Sequence, residues 1–486
     1  MARIWRLFFV LWLIAVAAPA FGQSAESSTE ASDPQVTPYF IDVTKAEWWS
    51  FFEPHPGGGA PTYSLFSNRA TLGMRVTSRH FDVDGAFQYA QLIGLPRQST
   101  GPGPLGPGAS YFDAARATRA YQLYFKAMSM TVKGRGLSLQ VGRMRFVSGA
   151  EARSATPAIE ELKRLRLHGR LLGEVEWTPF ERNFDGGRLD FSRGRWQATA
   201  ALMLPTQGAF EESASPSMGS LRVISSAVTR RSRSSTTAQN PDYELQAFAL
   251  HYRDRRDVRS RPDNTGFPVT AAAINLMTVG ASHVGTYAWG PGRVDTVVWA
   301  AQQFGDWYGD RHFARSVMVE GGYRWRSAWQ PWLRAAFLHA SGDDDPADFR
   351  HRTFFPLLPT TEPALFAGTY AQMNIRDASI ELRAQPRTGL NVYANVHRMS
   401  LADRHDRWYS GTGATAFKGN YFGYSGRLSS LATSLGTRVE TGAAFDATRR
   451  WRLSAAVGMM QGGEVIRRSF ARDRLMVVSV ESRLRF

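Results

Sequence analysis

Arginine dominates the residues of this sequence that could bind or select a ligand. Of the 58 basic residues in the 486-residue chain only five are lysine, and the formal net charge is +16. The guanidinium group is planar and holds a carboxylate or phosphate through two parallel hydrogen bonds. The composition therefore indicates anionic partners, although a genome that favours arginine codons would produce the same bias.

The spacing of several arginines places them on the polar side of alternating segments. Around Glu381, for example, Ile380 and Leu382 are apolar while Arg383 shares the polar parity. The arginines at such positions are Arg188, Arg324, Arg326, Arg383, Arg438, Arg452 and Arg485. If these segments are strands around a pore, arginines that face its lumen favour anionic solutes.

Two further groups of arginines fall in stretches without alternation. They are Arg230, Arg231 and Arg233, and then Arg253, Arg255, Arg256, Arg259 and Arg261. In outer loops such runs would bind lipopolysaccharide phosphates. We expect no nucleic-acid partner, because the features described below predict an exported protein.

The sequence carries no catalytic or metal-binding motif that we recognise. His168, His251 and His397 stand in no metal-ligand spacing, and no nucleophile elbow or phosphate loop is present. The lack of cysteine excludes disulfides and thiolate metal sites. We therefore predict no enzymatic activity, no cofactor and no metal. A Ser/His pair like that of outer-membrane phospholipases is the alternative.

An acidic cluster is the best candidate for a cation site. It consists of Asp343, Asp344, Asp345 and Asp348. Adjacent carboxylates suit a hard cation such as Ca²⁺. The same residues would also form a solvated loop that balances Arg350 and Arg352, and we favour this second interpretation.

The N-terminus has the three parts of a secretory signal peptide. Arg3 and Arg6 precede an apolar run from residue 7 to 18, and small residues follow up to Gly22. A run of about a dozen apolar residues is short for a membrane anchor, which needs ~20. We predict a signal peptide over residues 1–22 and a polar, flexible stretch over 23–36.

The C-terminal segment alternates strictly between apolar and polar residues. Met476, Val478, Val480 and Phe486 share one parity, whereas the other carries polar and charged residues such as Glu481. No later segment is long and apolar enough for a membrane helix. Because a bilayer accepts only helices or closed barrels, an exported chain with this alternation predicts a transmembrane antiparallel β-barrel in the outer membrane.

Turn signals divide residues 37–486 into strands of one barrel. Short turns near 80–82, 133–136, 194, 290–291, 327–329, 386–388 and 448–450 alternate with long loops at 53–66, 94–117, 147–183, 204–219, 253–274, 342–375 and 401–433. The first strand lies near 38–47 and the last at 474–486, which gives 18 strands, with 16 as the alternative. Short periplasmic turns and long extracellular loops are expected.

Aromatic residues at strand ends suit an interfacial girdle or, alternatively, core packing; they are Trp325, Trp329, Trp332 and Trp451.

Two stretches of the sequence resemble the alginate export family of outer-membrane porins. The first spans residues 137–191 and includes Gly142-Arg143, Ser148-Gly149-Ala150-Glu151, Leu162-Lys163-Arg164, Arg170-Leu171-Leu172-Gly173 and Arg182-Asn183-Phe184-Asp185-Gly186. The second is SGDDDPADFRHRTFFPLLPT at 341–360. Together they cover less than a fifth of the chain. The resemblance implies an 18-stranded barrel with an arginine-rich lumen.

The 147–183 connection is unusually long for a loop without a function of its own. Arg143 and Arg145 end the strand before it, and residues 157–167 suit a short helix. We predict that this loop folds into the pore, with Asp185 orienting Arg170 or Arg182. The alternative is a surface loop held by its own leucines.

These features predict a passive outer-membrane channel for an anionic polysaccharide or another carboxylated solute. The predicted lumen residues are Arg143, Arg145, Arg170, Arg182, Asp185, Arg188, Arg324, Arg326, Arg383 and Arg438. Outer-membrane lipid and lipopolysaccharide are the expected surroundings. A general porin for small anions and a structural or adhesive barrel are the alternatives.

Overall fold

The computed structural model describes residues 34–94, 119–154, 156–208, 214–232, 241–256, 261–271, 273–360, 364–366, 368–411 and 424–486. The predicted signal peptide, most of the predicted flexible stretch, most of the 94–117 loop, Arg233 and Arg259 lie outside these residues. Within them, no helix is long and apolar enough to cross a bilayer.

Eighteen antiparallel strands form one closed barrel, as the sequence predicts. They are β1 (Gln35–Ser50), β2 (Thr62–Thr77), β3 (Phe81–Ile93), β4 (Arg119–Lys133), β5 (Leu137–Met144), β6 (Phe184–Arg193), β7 (Trp196–Pro205), β8 (Leu221–Arg231), β9 (Asp242–Asp254), β10 (Ile274–Trp289), β11 (Gly292–Trp307), β12 (Asp310–Trp325), β13 (Trp332–Ala340), β14 (Ile375–Arg387), β15 (Leu390–Leu401), β16 (Ser434–Asp446), β17 (Trp451–Gly462) and β18 (Arg474–Arg485). The barrel closes where β1 pairs with β18, from Ile41↔Arg485 to Ser50↔Met476.

Side chains alternate between the two faces of the wall, as β12 illustrates. Val317 and Val319 are exposed on the outer face, whereas Ser316 and Glu320 are buried inside. Apolar side chains that point outwards face lipid in a transmembrane barrel. The predicted parity is therefore the one that the structure has at this strand.

Local irregularities overturn three details of the predicted strands. Leu435 has the same parity as Val439, which predicts an outward side chain, but it is buried, because the register of β15 and β16 shifts near Gly436, whose φ is +139°. Arg230 and Arg231 end strand β8, and Arg253 lies in strand β9, so these three are not loop residues. Trp332 is buried and donates its indole N–H to Asp295, so it does not belong to the girdle that the exposed Trp325 and Trp329 suit.

The two ends of the barrel differ in their connections. The turns at the end that holds both termini are short where described, for example Gly290-Pro291 between β10 and β11. Most connections at the other end are long, although a turn at Tyr308-Gly309 joins β11 directly to β12. Short turns are periplasmic and long loops extracellular in such barrels, which gives the orientation of the chain.

The extracellular loops carry their own apolar core. It includes Phe51, Phe52, Phe354, Phe355 and Trp408, all nearly inaccessible to solvent. Two short helices, α1 (Pro157–Arg166) and α2 (Glu464–Ser469), and a hairpin of strands 407–411 and 424–428 belong to these loops. The outer half of the barrel is therefore filled and covered by loop residues.

We predict that deletion of Phe486 impairs assembly of the barrel. The Phe486 backbone exchanges two hydrogen bonds with Phe40, at 3.0 and 2.8 Å, and its exposed ring lies 6.3 Å from that of Phe40. Loss of these bonds frays the closing seam, whose polar backbone groups must stay paired in lipid. The measurement is the fraction of protein that shifts in mobility on heating in a detergent gel. Normal amounts of this species from the truncated chain would contradict the prediction.

Candidate functional site

A loop leaves the wall early and enters the barrel. Strand β5 ends at Met144, and the chain rejoins the wall only at Phe184. We call residues 145–183 the first inserted loop. Its helix α1 begins with Pro157, a residue suited to the first turn, and buries Ile159 and Leu162. Lys163 on the same helix forms a 2.9 Å ion pair with Glu244 of β9.

A second loop, residues 341–374, joins the first inside the barrel, and we call it the second inserted loop. Leu172 and Leu358 form a parallel β-bridge, with 2.9 Å hydrogen bonds from Gly173 N to Leu358 O and from Leu358 N to Leu171 O. A Cβ atom at Gly173 would collide with Thr360. The two stretches that carry the family resemblance are thus in direct contact.

Ion pairs fix α1 to the opposite wall. Arg166 lies 3.0 Å from a carboxylate oxygen of Glu320 on β12 and donates to Glu381 on β14 at 2.7 Å. Arg334 of β13 also donates to Glu320, at 2.8 Å, and Arg383 donates to both oxygens of Glu381. These five residues form a charged network that we call the α1 network.

Arg324 and Asp295 extend the α1 network, and both contact Trp332. Arg324 donates to Glu161 of α1 at 2.8 Å, and its guanidinium lies 4.0 Å from the centre of the Trp332 ring. Asp295 accepts hydrogen bonds from Arg334 and from the Trp332 indole. The predicted residues Arg324 and Arg383 are therefore brought together, each with an acidic partner and with about a third of its side chain exposed, at 30% and 27%.

A second group of charges holds the first inserted loop to β2–β4. Arg69 forms a 2.8 Å ion pair with Glu181 and donates to the carbonyl oxygens of Glu176 and Thr178. Lys126 also contacts Glu181. It occupies a bulge in β4, between the pairs Ala86↔Ala127 and Phe87↔Phe125, which allows its side chain to reach inwards.

Arg438 ends a chain of hydrogen bonds beneath the second inserted loop. It donates to the Tyr370 hydroxyl at 2.9 Å and to His397 Nε2 at 2.7 Å, and His397 Nδ1 lies 2.8 Å from Asp377. Since a guanidinium only donates, Nε2 accepts and Nδ1 carries the proton that goes to Asp377. Arg438 is mostly buried in this arrangement.

The remaining predicted residues lie in several places. Arg188 binds Asp190 and the carbonyl of Glu151 in the first inserted loop. Arg170 lies 5.2 Å from the Trp299 ring. Arg182 is fully buried and donates to the carbonyls of Gly173 and Leu358, so it joins the two inserted loops. The exposed Arg326 follows the end of β12.

The predicted pairing of Asp185 with Arg170 or Arg182 is wrong. Asp185 binds Arg143, through two hydrogen bonds of 2.7 Å. These residues are direct partners across β5 and β6. Arg143 has the parity of Leu139 and Val141, which are exposed on the outer face.

Arginines collect at the periplasmic end of the lumen. The side chain of Arg145 is 65% exposed while it pairs with the buried Glu174, and that of Arg452 is 48% exposed. Arg485 lies close enough to Arg145, Arg452 and Arg483 for their positive charges to repel it, and Arg483 is the register partner of Arg452. We call these four residues the periplasmic arginine group.

A known protein family and several solved structures resemble this chain. A family model described as alginate export matches residues 113–477. The chain belongs to the alginate export family. None of the curated proteins matches its sequence.

Solved structures with this fold are outer-membrane proteins of distant sequence. Pseudomonas aeruginosa OccK9 (OpdG) matches with a TM-score of 0.57 and 10% identity, over 92% of this chain and 98% of that one. OpdK of the same organism, solved with vanillate, gives 0.54 and 8% over 92% and 98%. Acinetobacter baumannii OccAB3 gives 0.53 and 9% over 92% and 99%. These likenesses show the fold, and with the family they identify an outer-membrane channel.

Sequence reasoning missed several charged residues of this family member's lumen. Arg334 has the inward parity of β13, which the outward Leu333 and Phe337 reveal. Arg69 could have been found in the same way on β2. Lys126 could not, because a one-residue bulge reverses the parity on either side of it. Arg166 lies within residues 137–191, the first stretch that resembles the family, but that part was predicted to be a loop, where side chains do not alternate between two faces.

The acidic cluster of the second inserted loop binds arginine. Arg352 pairs with Asp343, Asp344 and Asp348, at 3.4, 2.9 and 2.5 Å. In the described part of the chain, no group of three or more acidic or histidine side chains is arranged to hold a metal. The ion pairs to Arg352 agree with the favoured interpretation in that the loop balances its own arginine, but the loop is not solvated throughout as predicted, because Asp343 is fully buried.

Two buried carboxyl groups lie where the outer loops meet. Asp406 accepts hydrogen bonds from the Asp343 backbone, at 2.9 Å, and from the Tyr409 hydroxyl, at 2.5 Å. Burial, and then the charge of Asp406, raises the pKa of Asp343 to about 8. Burial also raises the pKa of Asp406 to about 6. Both carboxyl groups therefore keep a proton up to a higher pH in the packed loops than an exposed aspartate does.

We predict that the contact between these loops weakens as the pH rises from about 4 to about 8. An acid whose pKa is raised by folding binds its proton more tightly in the packed state, so its contribution is complete below the unfolded pKa of ~3.9 and is lost as the pH passes the folded value. Limited proteolysis within 341–354 at pH 5 and at pH 8.5 measures this effect. Asp343→Asn should reduce the difference and the exposed Asp345→Asn should not; the reverse pattern would refute it.

We predict that Arg166→Ala loosens α1. The variant loses charge-assisted hydrogen bonds worth about 2 kcal/mol, which corresponds to roughly thirtyfold more frequent opening of the helix. Hydrogen exchange of residues 157–166 in the folded barrel is the measurement. Arg164→Ala, an exposed position on the same helix, is the control. Equal exchange rates in the two variants would show that the α1 network does not hold the helix.

Proposed function

We propose that the barrel is a passive channel for an anionic, carboxylate-bearing polysaccharide, which its lumenal arginines bind and release in succession. The observation that carries this proposal is the set of inward arginines that keep exposed surface while they pair with acids. These are Arg145, Arg324, Arg383 and Arg452. The proposal includes export of the polypeptide itself by means of the predicted signal peptide. It assigns no catalytic step to the chain.

The acidic partners make each of these arginines a weak site rather than a tight one. Glu381 already occupies the guanidinium fork of Arg383, and Glu161 takes one N–H of Arg324. A carboxylate of the solute would have to share or displace these partners. An exposed ion pair contributes about 1 kcal/mol or less and fades with salt. A channel needs this balance, because a solute held tightly does not leave.

The position of the arginines supports a polymer as the solute. The periplasmic arginine group lies at one end of the lumen, and the α1 network lies where α1 meets β12–β14. A polyuronate carries a carboxylate on every sugar. Successive sugars would therefore contact both groups at once, and each contact could exchange without releasing the chain.

A small carboxylated solute is the second candidate. OpdK, which shares the fold, was solved with vanillate, a small aromatic carboxylate. The loop core that fills the outer half of the barrel also favours a narrow passage. A structural or adhesive role would leave the lumenal arginines without consequence for conductance, which the following experiment tests.

We predict that Arg324→Gln combined with Arg452→Gln shifts selectivity away from anions. In single-channel recordings the reversal potential in a salt gradient should move towards cations, and block by oligouronates should weaken by about fivefold for each arginine removed. Both effects should shrink at high salt, because screening removes them in the parent protein.

The control is Arg315→Gln combined with Arg376→Gln. It makes the same chemical change in the outward register, where both residues are exposed. It should alter neither selectivity nor block. If the outward pair changes selectivity and the inward pair does not, the proposal is wrong. If only small carboxylates block the channel, the second candidate replaces the polysaccharide.

A further inference from the structure

Several arginines of the barrel point away from the lumen, near the extracellular end of their strands. Their parity is that of exposed apolar neighbours, such as Ile224 beside Arg222 and Phe313 beside Arg311. They are Arg222, Arg253, Arg311, Arg315, Arg376 and Arg398. In the ranges that the structure describes, none of these six forms an ion pair with a carboxylate, whereas Arg69, Arg166, Arg334 and Arg383 inside all do.

Two of these arginines are direct neighbours on adjacent strands. Arg222 of β8 and Arg253 of β9 are register partners, and Asn275 of β10 is the next residue in the same row. One row below Arg253, His251 contacts the Asn275 side chain at 2.7 Å. The outward positions of β7–β10, all of which are described, contain no aspartate or glutamate. Among the described residues, no carboxylate stands directly beside these two cationic side chains; the row continues beyond Asn275 to the exposed Asp306 of β11, two strands from Arg253.

A groove of about 450 Å³ opens on the outer face below this pair. Its floor consists mainly of small side chains, which leave a depression beside the bulkier Leu189 and Phe191 of β6. The floor residues are Ala198, Ala200, Ser226, Ala247 and Ala249. The register rows Ala200–Ser226 and Ser226–Ala249 make the floor continuous across β7, β8 and β9.

The two features lie on the same strands at different depths in the membrane. Arg222 precedes Ser226 by four residues on β8, which corresponds to roughly 10 Å along the normal for a strand tilted by ~40°. Arg253 lies ten residues from Tyr243 at the periplasmic end of β9, or roughly 25 Å, the height of the apolar band of such barrels. The arginine pair therefore stands at the headgroup level of the outer leaflet, and the groove lies among the acyl chains.

We propose that this surface binds one lipopolysaccharide molecule, with a lipid A phosphate on Arg222 and Arg253 and an acyl chain in the groove. The guanidinium fork matches a phosphate bidentately. An arginine at this depth gains from the outer leaflet an anion that none of the described residues supplies. A groove lined with small side chains accepts a chain of methylene groups without displacing bulky residues.

The experiment measures bound lipid A on barrels extracted in mild detergent from outer membranes. Native mass spectrometry gives the lipid occupancy of the parent chain, which should be about one per barrel. Arg222→Gln combined with Arg253→Gln should lower the affinity for added lipid A by about fivefold or more. Ala200→Leu combined with Ala249→Leu, which fills the groove and keeps both charges, should lower it as well.

Arg193→Gln combined with Arg195→Gln is the matched control, since both residues are exposed at the periplasmic end of the adjacent hairpin. It should leave lipid A binding unchanged. Mobility shifts on heating verify that each variant is folded. Unchanged binding in the Arg222/Arg253 variant, an equal loss in the control, or equal binding of dephosphorylated lipid A would each overturn the proposal. A change of oligomeric state without a change in lipid binding would assign the groove to a second copy of the chain instead.

Discussion

Hydrocarbon offers no hydrogen-bond partner to a peptide group, and this constraint shapes the whole molecule. Every strand of the wall must have two neighbours, so β1 has to meet β18, and the terminal Phe486 completes the seam against Phe40. Closure then leaves each side chain only two directions, towards lipid or towards the lumen. The position of a residue in its strand therefore decides whether a charge is buried among other charges or meets the membrane.

The two faces satisfy arginine in different ways. Inside, the guanidinium groups meet acids on neighbouring strands or on the inserted loops, as Arg334 does with Asp295 and Glu320. These pairs are partly shielded from water, and removing one partner would leave the other uncompensated. Outside, Arg143 meets Asp185 across β5 and β6, whereas the described residues of the wall offer Arg222 and Arg253 no adjacent carboxylate, and the anions of the membrane surface are the proposed partners. The same residue type thus serves to hold loops on one face and to contact lipid on the other.

The alternation of apolar and polar residues allowed the strands of the wall to be predicted from the sequence. It gave no information about contacts across the lumen. The strand around Val317 and Glu320 could be assigned because alternation is local, and the same reasoning would have found Arg334. The pairing of Arg166 with Glu381 joins residues 215 positions apart, and nothing in either segment identifies the other. The prediction for Asp185 failed because it assumed a partner within the loop, while the register of β5 and β6 places Arg143 opposite. At the bulges at Lys126 and near Gly436, alternation does not predict which way a side chain points, because one extra residue reverses the face of all the residues that follow.

If the chain has the proposed function, the inserted loops explain how a wide barrel would discriminate between solutes. Eighteen strands enclose more space than side chains alone can fill, so any narrowing has to come from segments that enter the lumen. Such segments expose backbone groups that need partners, and here the Leu172–Leu358 bridge and the buried Arg182 supply them. The loops are then fastened to the wall by arginine–carboxylate pairs rather than by apolar packing alone. Consequently the residues that hold the inserted loops in place are arginines, like those that would contact an anionic solute. A substitution that removes a contact with the solute would therefore also affect how the loops are held.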